Sequence, residues 1–282
     1  MKKLSLVLAL LTFLLGGFFF YDQSKFSDGK LHVVFCDVGQ GDATFIRTPR
    51  GIDILIDGGP DDSVLNCLNN HMPFWDRTIE VVFLTHPHAD HLNGVLSTLK
   101  RYDVIHYVRQ KGEISSDLAK VEKAILADKK LSAKLFAKGS SLKIKDGVGF
   151  FTLWPENSSL ILNEKNLDIN GYSLIELVRY GKFKVLITGD ATSSVQDKVV
   201  IGVGQISVLR IAHHGSKTGL DSKIVRELRP DLAVISVGAK NRYGHPSPKI
   251  LALLEQFGIK TLRTDQDGEI EIVSDGKEWE IR

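Results

Sequence analysis

The chain has 282 residues, 43% of them hydrophobic and 25% charged, with 36 basic against 34 acidic side chains and a formal net charge of +2. It is hydrophobic enough to bury a core, which excludes an intrinsically disordered protein, and its small basic excess gives no electrostatic ground for a nucleic-acid binder. Cys36 and Cys67 are too few for a disulfide framework and sit at no metal-ligand spacing; Cys36, at the end of an apolar run, reads as a small buried hydrophobe.

Met1-Lys2-Lys3 is followed by an uncharged run from Leu4 to Phe20 and then by the polar stretch Asp22 to Lys30. A run of this length lies at the lower limit for spanning a bilayer, roughly 17 residues, and no small-residue cleavage signal follows Phe18-Phe19-Phe20-Tyr21. Residues 1–22 therefore read as a signal-anchor, or as a signal peptide if cleaved, residues 23–30 as a short linker and residues 31–282 as one domain. Lys2 and Lys3 favour a cytoplasmic N-terminus. The domain is then extracytoplasmic, either membrane-anchored through an N-terminal hydrophobic helix or secreted after cleavage.

Short apolar runs bounded by turn residues follow at Leu31 to Phe35, Thr44 to Arg47, Ile52 to Ile56 and Val81 to Leu84, and read as strands. Leu92 to Leu99 reads as a helix, as does Asp117 to Lys129 with Leu118, Val121 and Ile125 on one face. Further strands are predicted at Phe150 to Trp154, Leu174 to Arg179, Lys184 to Ile187, Val208 to Ala212, Leu232 to Val237 and Glu269 to Val273. Helical stretches interleave at Ser222 to Leu228 and Pro248 to Phe257. Two sheets with helices outside fit this order.

The most informative stretch is His86-Pro87-His88-Ala89-Asp90-His91, three imidazoles and a carboxylate in six residues directly after an apolar strand. Ligands this dense suit zinc, manganese or iron, and one loop of this kind can feed two ions. Other suspicious residues also fall at strand ends. Asp37 to Asp42 follows the first strand and Asp57-Gly58-Gly59 the third, each alone more readily a turn than a site. Asp190, after Lys184 to Ile187, is placed either to bridge two ions with its carboxylate or to cap the helix starting near Ala191. His213-His214-Gly215-Ser216 repeats the pattern of strand, histidine and glycine, with His214 the preferred ligand. His245, in Tyr243-Gly244-His245-Pro246, reads as a ligand, an acid or a substrate contact.

This set resembles the metallo-β-lactamase superfamily, whose signature His-x-His-x-Asp-His stands at His86, His88, Asp90 and His91. With Asp37 to Asp42, Asp57 to Gly59, Thr188 to Asp190, His213 to Ser216 and Gly244 to Pro246, it is similar to the hydrolase domain at the end of ComEC-type competence proteins, over about Leu31 to Arg282. The resemblance implies an α/β (α+β) fold, a four-layer αββα sandwich, with two divalent metal ions, zinc or manganese, between the sheet edges. It implies His86 and His88 on one ion, Asp90 and His91 on the second, Asp190 bridging and His214 completing the second site, with His213 a further candidate. The superfamily supplies another histidine between the first motif and the bridging aspartate. Here that interval holds only His106, which comes too early, and the expected place reads Asp168-Ile169-Asn170-Gly171-Tyr172-Ser173. The first site is accordingly expected to be open, weak or filled by another ligand. The membrane helices of full competence proteins have no counterpart in these residues, so the chain is not expected to translocate DNA alone.

The chemistry implied is metal-assisted hydrolysis, with Asp90 orienting a metal-activated water and His245 a second catalytic candidate. Lys217, Lys240, Arg242 and Lys249 are cations near the later clusters that suit phosphate oxygens, and Asn170, Ser173 and Ser216 are further substrate contacts. A phosphate-containing substrate such as single-stranded DNA, cut as a nuclease cuts it, is the primary expectation. A phosphocholine-type envelope esterase, a β-lactam hydrolase and a non-catalytic metal-dependent binding protein are the alternatives.

Overall fold

The computed structural model describes residues 8, 10–14, 16–18, 26–111, 113–114, 116–157, 161–162 and 168–282. The hydrophobic helix expected within residues 1–22 falls largely outside these; residues 8, 10–14 and 16–18 are helical, and no helix among the described residues is long and apolar enough to cross a membrane. The strands in chain order are β1 Leu31–Phe35, β2 Thr44–Arg47, β3 Asp53–Ile56, β4 Thr78–Leu84, β5 Asp103–Gln110, β6 Glu113–Ile114, β7 Ala133–Phe136, β8 Ser141–Lys143, β9 Val148–Trp154, β10 Ile161–Leu162, β11 Ile175–Tyr180, β12 Phe183–Ile187, β13 Val208–Arg210, β14 Leu232–Ile235, β15 Lys260–Arg263, β16 Ile270–Ser274 and β17 Trp279–Ile281. The helices are α1 Val64–His71, α2 Ala89–Arg101, α3 Asp117–Asp128, α4 Ser193–Gln196, α5 Ser222–Leu228, α6 Pro248–Gln256 and α7 Thr264–Asp267.

Two sheets carry the fold. The first runs β17-β16-β1-β2-β3-β4-β5-β7 and the second β15-β14-β13-β12-β11-β9-β8. Each is antiparallel on one side and parallel on the other, the parallel parts being β3 to β7 in the first and β12 to β15 in the second. Parallel strands in one sheet need crossovers, so consecutive strands point the same way and their C-terminal ends gather at one edge. That edge is where every suspicious loop of the sequence emerges.

Both faces of each sheet are covered, which is why the strands read as continuous apolar runs rather than strict alternation. Val33, Phe35, Ile54, Ile56, Val81 and Phe83 face the second sheet's Phe150, Val178, Val185 and Val234, and Phe83 stacks on Phe150 with ring centroids 5.4 Å apart. The intervening Val34, Leu55, Val82 and Leu84 pack outward on α1, α2 and α3. Leu186, Leu209, Ala233 and Ile235 do the same on the second sheet against α5 and α6. The order is helices, sheet, sheet, helices.

The structure corrects two readings. Cys36 is not a lone buried hydrophobe: alternation turns it outward from the end of β1 onto α1, where it is disulfide-bonded to Cys67 at a Cα–Cα distance of 5.8 Å. Val121 does not share the inner face of α3 and is 45% exposed. The helix rolls instead onto Ala119, Glu122 and Leu126, because Glu122 accepts a hydrogen bond from the buried Tyr107 hydroxyl at 3.0 Å. The strand predicted at Glu269 to Val273 forms as β16, in the first sheet and antiparallel to β1.

One carboxyl in the inter-sheet layer has no counter-charge. Glu176 on β11 is fully buried and accepts a hydrogen bond from the Thr152 hydroxyl at 2.6 Å. Burial, only partly offset by that bond, pushes its pKa up to about 8 from the ordinary 4.5. Between those values the folded state holds a proton the unfolded state has lost, so stability falls as pH rises through this window, by about 1.4 kcal/mol per unit at most. Glu176→Gln is expected to remove that slope. Urea unfolding at a series of pH values should show the variant gaining on the parent from pH 5 to pH 8; parallel curves would mean that Glu176 is ionised in the fold.

Candidate metal centre

β4 delivers Thr85 and His86 to the edge, and α2 begins at once, with His88 as its N-cap residue and Asp90 in its first turn. A carboxylate there faces free backbone N–H groups at the positive end of the helix. His91, one residue on, is rotated inward and is fully buried. Close backbone packing permits this: Gly58 N donates to His91 O at 2.8 Å and Gly94 N to Gly59 O at 3.0 Å, and a Cβ on Gly58 or Gly94 would overlap the opposing main chain.

Asp57, at the end of β3 with φ of 60°, is the hub of this loop. Its carboxylate accepts from Thr85 N at 2.8 Å, from the Thr85 hydroxyl at 2.7 Å and from His91 Nδ1 at 2.7 Å. His91 Nε2 is thereby aimed at Asp190 Oδ1, 3.3 Å away, and both atoms are buried without a hydrogen-bond partner. Burial opposes a charged imidazole here, but Asp190 and Asp57 outweigh it and raise His91 well above the usual histidine range, so the place at its Nε2 favours positive charge, which a proton or a metal ion can supply. A buried imidazole nitrogen and carboxylate oxygen left facing each other this way accommodate a cation between them.

Asp190 follows β12 and does not cap a helix; α4 starts at Ser193 with Thr192 in the cap position. His214 donates Nδ1–H to Ser236 O at 3.0 Å, which aims Nε2 at Asp90 Oδ2, in hydrogen-bond contact at 3.3 Å, and at Asp190 Oδ2, 4.0 Å away. One ligand atom each from Asp90, His91, Asp190 and His214 lies within 4.8 Å of the others. Two nitrogens and two carboxylates, with the imidazoles fixed through their second nitrogens, match the donor set and outer support of a divalent-metal site.

Two more imidazoles border the same carboxylate, and a third adjoins one of them. His86 Nε2 is 3.9 Å and His213 Nε2 3.8 Å from Asp190 Oδ2, and His86 Nε2 lies 3.1 Å from His88 Nδ1. The Thr85 hydroxyl spends its proton on Asp57 and so accepts His86 Nδ1–H at 3.1 Å. Burial, reinforced by the charge on His91, holds His86 well below the usual range, and burial also lowers His213 despite Asp190. Neutral imidazole is the form that binds metal. His213 and His214 both have left-handed backbones, φ 52° and 53°, a strain typical of functional sites.

The remaining predicted residues divide. Ser173 is buried and its hydroxyl accepts from Asp190 N at 3.2 Å, holding the aspartate's loop. Asn170 Oδ1 is buried without a partner, and Ser216 is buried with its hydroxyl 3.3 Å from that of Thr218. Lys217 and Lys249 are exposed. Lys240 and Arg242 line a cleft of about 440 Å³ together with Asp90, Gln40 and Tyr243. His245 stands outside the ligand group, its ring 5.8 Å from that of His213, and burial with the charges of His213 and His214 lowers its pKa. His106 is remote, on β5 beside Lys134.

Sequence reasoning passed over Arg210 and undervalued Asp42 and Asp57. Arg210 ends β13 fully buried, 2.5 Å from Asp42, donating to Gly189 O at 2.6 Å and lying 3.9 Å from Asp190 Oδ1. A lone arginine inside the apolar run Val208 to Ala212 was itself a signal, since buried arginines are rare unless paired.

This fold and this ligand cluster define a metallo-β-lactamase-type hydrolase. The profile of the Beta-lactamase superfamily domain matches residues 53–211, more than half of the chain, and the chain belongs to that superfamily. It is 31% identical over 267 residues to the ComE operon protein 3 of Bacillus subtilis, covering 87% of this chain and 33% of that protein. It is 27% identical to the competence protein ComA of Neisseria gonorrhoeae, covering 92% and 34%. The chain thus spans about a third of the length of these relatives. The crystal structure of the metallo-β-lactamase fold protein YhfI from Bacillus subtilis superimposes with a TM-score of 0.56 at 12% identity, covering 83% of this chain and 96% of that one.

Because Asp57 orients His91 without joining the ligand group, Asp57→Ala is expected to lower divalent-metal affinity by about 10- to 100-fold. Competition with a chromogenic chelator reads this directly; an unchanged dissociation constant would remove Asp57 from the site's support.

Proposed function

We propose that the chain is a metal-dependent phosphodiesterase of nuclease type that acts outside the cytoplasm. The observation that carries this reading is that Asp90 belongs both to the buried ligand cluster and to the wall of the cleft lined by Lys240 and Arg242. Hydrolytic chemistry and anion-holding cations therefore share one side chain. Asp90, His91, Asp190 and His214 would hold one divalent ion, and His86 and His213, beside Asp190, with His88 next to His86, would hold a second. Zinc or manganese would supply an acidified water and a positive contact for a phosphoryl oxygen. The protein's own part is to aim the two: Asp90, held ionised by its bond to His214, orients the water, and Lys240 and Arg242 hold non-bridging oxygens. His245, partly exposed beside the His213 ring, is the residue assigned to exchange a proton with the leaving oxygen.

DNA is the favoured substrate, supported by relatives named for competence. An extracytoplasmic location is supported by the uncharged run after Lys2-Lys3 and by the Cys36–Cys67 disulfide, which suits an oxidising compartment.

The purified chain, stripped with a chelator and reloaded with Mn²⁺ or Zn²⁺, is expected to cut single-stranded DNA and bis(p-nitrophenyl) phosphate. Asp190→Asn should lose on the order of 100-fold or more in rate, beyond the usual effect of a supporting residue, together with bound metal counted by elemental analysis. A fully metal-loaded chain that cuts neither substrate is not a phosphodiesterase.

A further inference from the structure

Tyr243 is 58% exposed yet held by two neighbouring side chains. The His245 ring stacks against it with centroids 5.8 Å apart and planes inclined by 26°, and the Arg242 guanidinium sits 5.4 Å from the ring centroid. Its loop is tied internally: Asn241 Oδ1 accepts from Tyr243 N at 3.2 Å and His245 N at 3.0 Å, while Asn241 Nδ2 donates to Gly238 O at 2.9 Å and His245 O at 2.6 Å. Gly238 N in turn donates to Gln40 Oε1 at 3.1 Å, which pins this second-sheet loop to a loop of the first sheet. An aromatic ring that stays more than half exposed while its neighbours hold it in one position is preorganised to receive a flat partner. Tyr243 lines the same cleft as Asp90 and Lys240.

We infer that Tyr243, braced by Arg242 and His245, is a specificity-determining residue that stacks on a planar ring adjoining the scissile phosphoester. This rests on the phosphodiesterase reading above and narrows it. A chain that alternates phosphates with exposed rings satisfies both the cations and the aromatic face, which selects single-stranded nucleic acid, since pairing and stacking in a duplex cover the ring faces. Stacking of this kind is sequence-tolerant, because every base has a π-face.

The test compares a short single-stranded oligonucleotide with the same strand carrying abasic positions, cut by the metal-loaded full chain. The parent is expected to favour the base-bearing strand by about 5- to 100-fold in kcat/KM, chiefly through KM. Tyr243→Ala should bring the two strands close to parity, and Tyr243→Phe should keep the preference. In parallel, 2-aminopurine in the strand should be quenched on binding to the parent and to Tyr243→Phe but not to Tyr243→Ala. Equal cleavage of both strands by the parent, or a preference and quenching that survive Tyr243→Ala, would overturn the assignment. Should the parent cut neither strand, the phosphodiesterase reading falls, and the quenching comparison alone then decides for or against the stacking face.

Discussion

His91 stands between two carboxylates that water does not reach. Asp57 holds its Nδ1 at 2.7 Å and Asp190 faces its Nε2 at 3.3 Å. Asp57 rises from the end of β3 in one sheet and Asp190 from the end of β12 in the other, so this line of charge crosses the boundary between the sheets. The apolar layer beneath presses the sheets together but is non-directional and would tolerate small slips. A buried charge without its partner costs several kcal/mol, so the charged line does not tolerate them. The sandwich supplies the closeness, and His91 with its two carboxylates sets where the loops of one sheet stand over the other.

Arg210 extends the same logic. Asp42, Asp57 and Asp190 are all buried where the loops of the two sheets meet, and three carboxylates so close would repel one another without positive charge among them. His91 meets two of them and Arg210 lies between Asp42 and Asp190, reaching the first at 2.5 Å and the second at 3.9 Å. Arg210 also fixes the Gly189 carbonyl, so it positions Asp190 from behind. The left-handed backbones at Asp57, His213 and His214 cost on the order of 1–3 kcal/mol each. At Asp57 the three hydrogen bonds its carboxylate accepts offset that cost.

What could be read in the sequence followed from how local the information was. His86 to His91 declares itself because four metal-competent side chains are neighbours in the chain, and β1 to β4 and α5 do so because their apolar pattern and turn residues are local. The Cys36–Cys67 bond, the burial of Glu122 in place of Val121 and the pairing of β16 with β1 depend on contacts between distant segments, which no local period encodes. Asp57 is the instructive middle case. Asp-Gly-Gly after a strand carries the chemistry of a turn, and it forms one; only the arrival of His91 from 34 residues downstream turns the same carboxylate into the residue that orients a ligand.

The two halves of the His86 to His91 run have unequal company, and the reason lies in the segment 168–173. Where the superfamily pattern calls for another histidine, this chain places a short 3-10 turn, Ile169–Tyr172, whose following residues act as fasteners. Ser173 takes the Asp190 N–H on its hydroxyl, and Leu174 N donates to Thr85 O at 3.0 Å. The segment therefore joins the end of β4, which carries His86, to the loop that carries Asp190. A residue that closes the loops in this way is not free to project a nitrogen between them. The place beside Asp190 Oδ2 is shared instead by His86 and by His213, whose left-handed backbone brings its Nε2 to 3.8 Å. The absent histidine is thus matched by a structural tie on one side and a strained imidazole on the other. On the side of the centre that sequence alone presents as open, the later loop contributes His213.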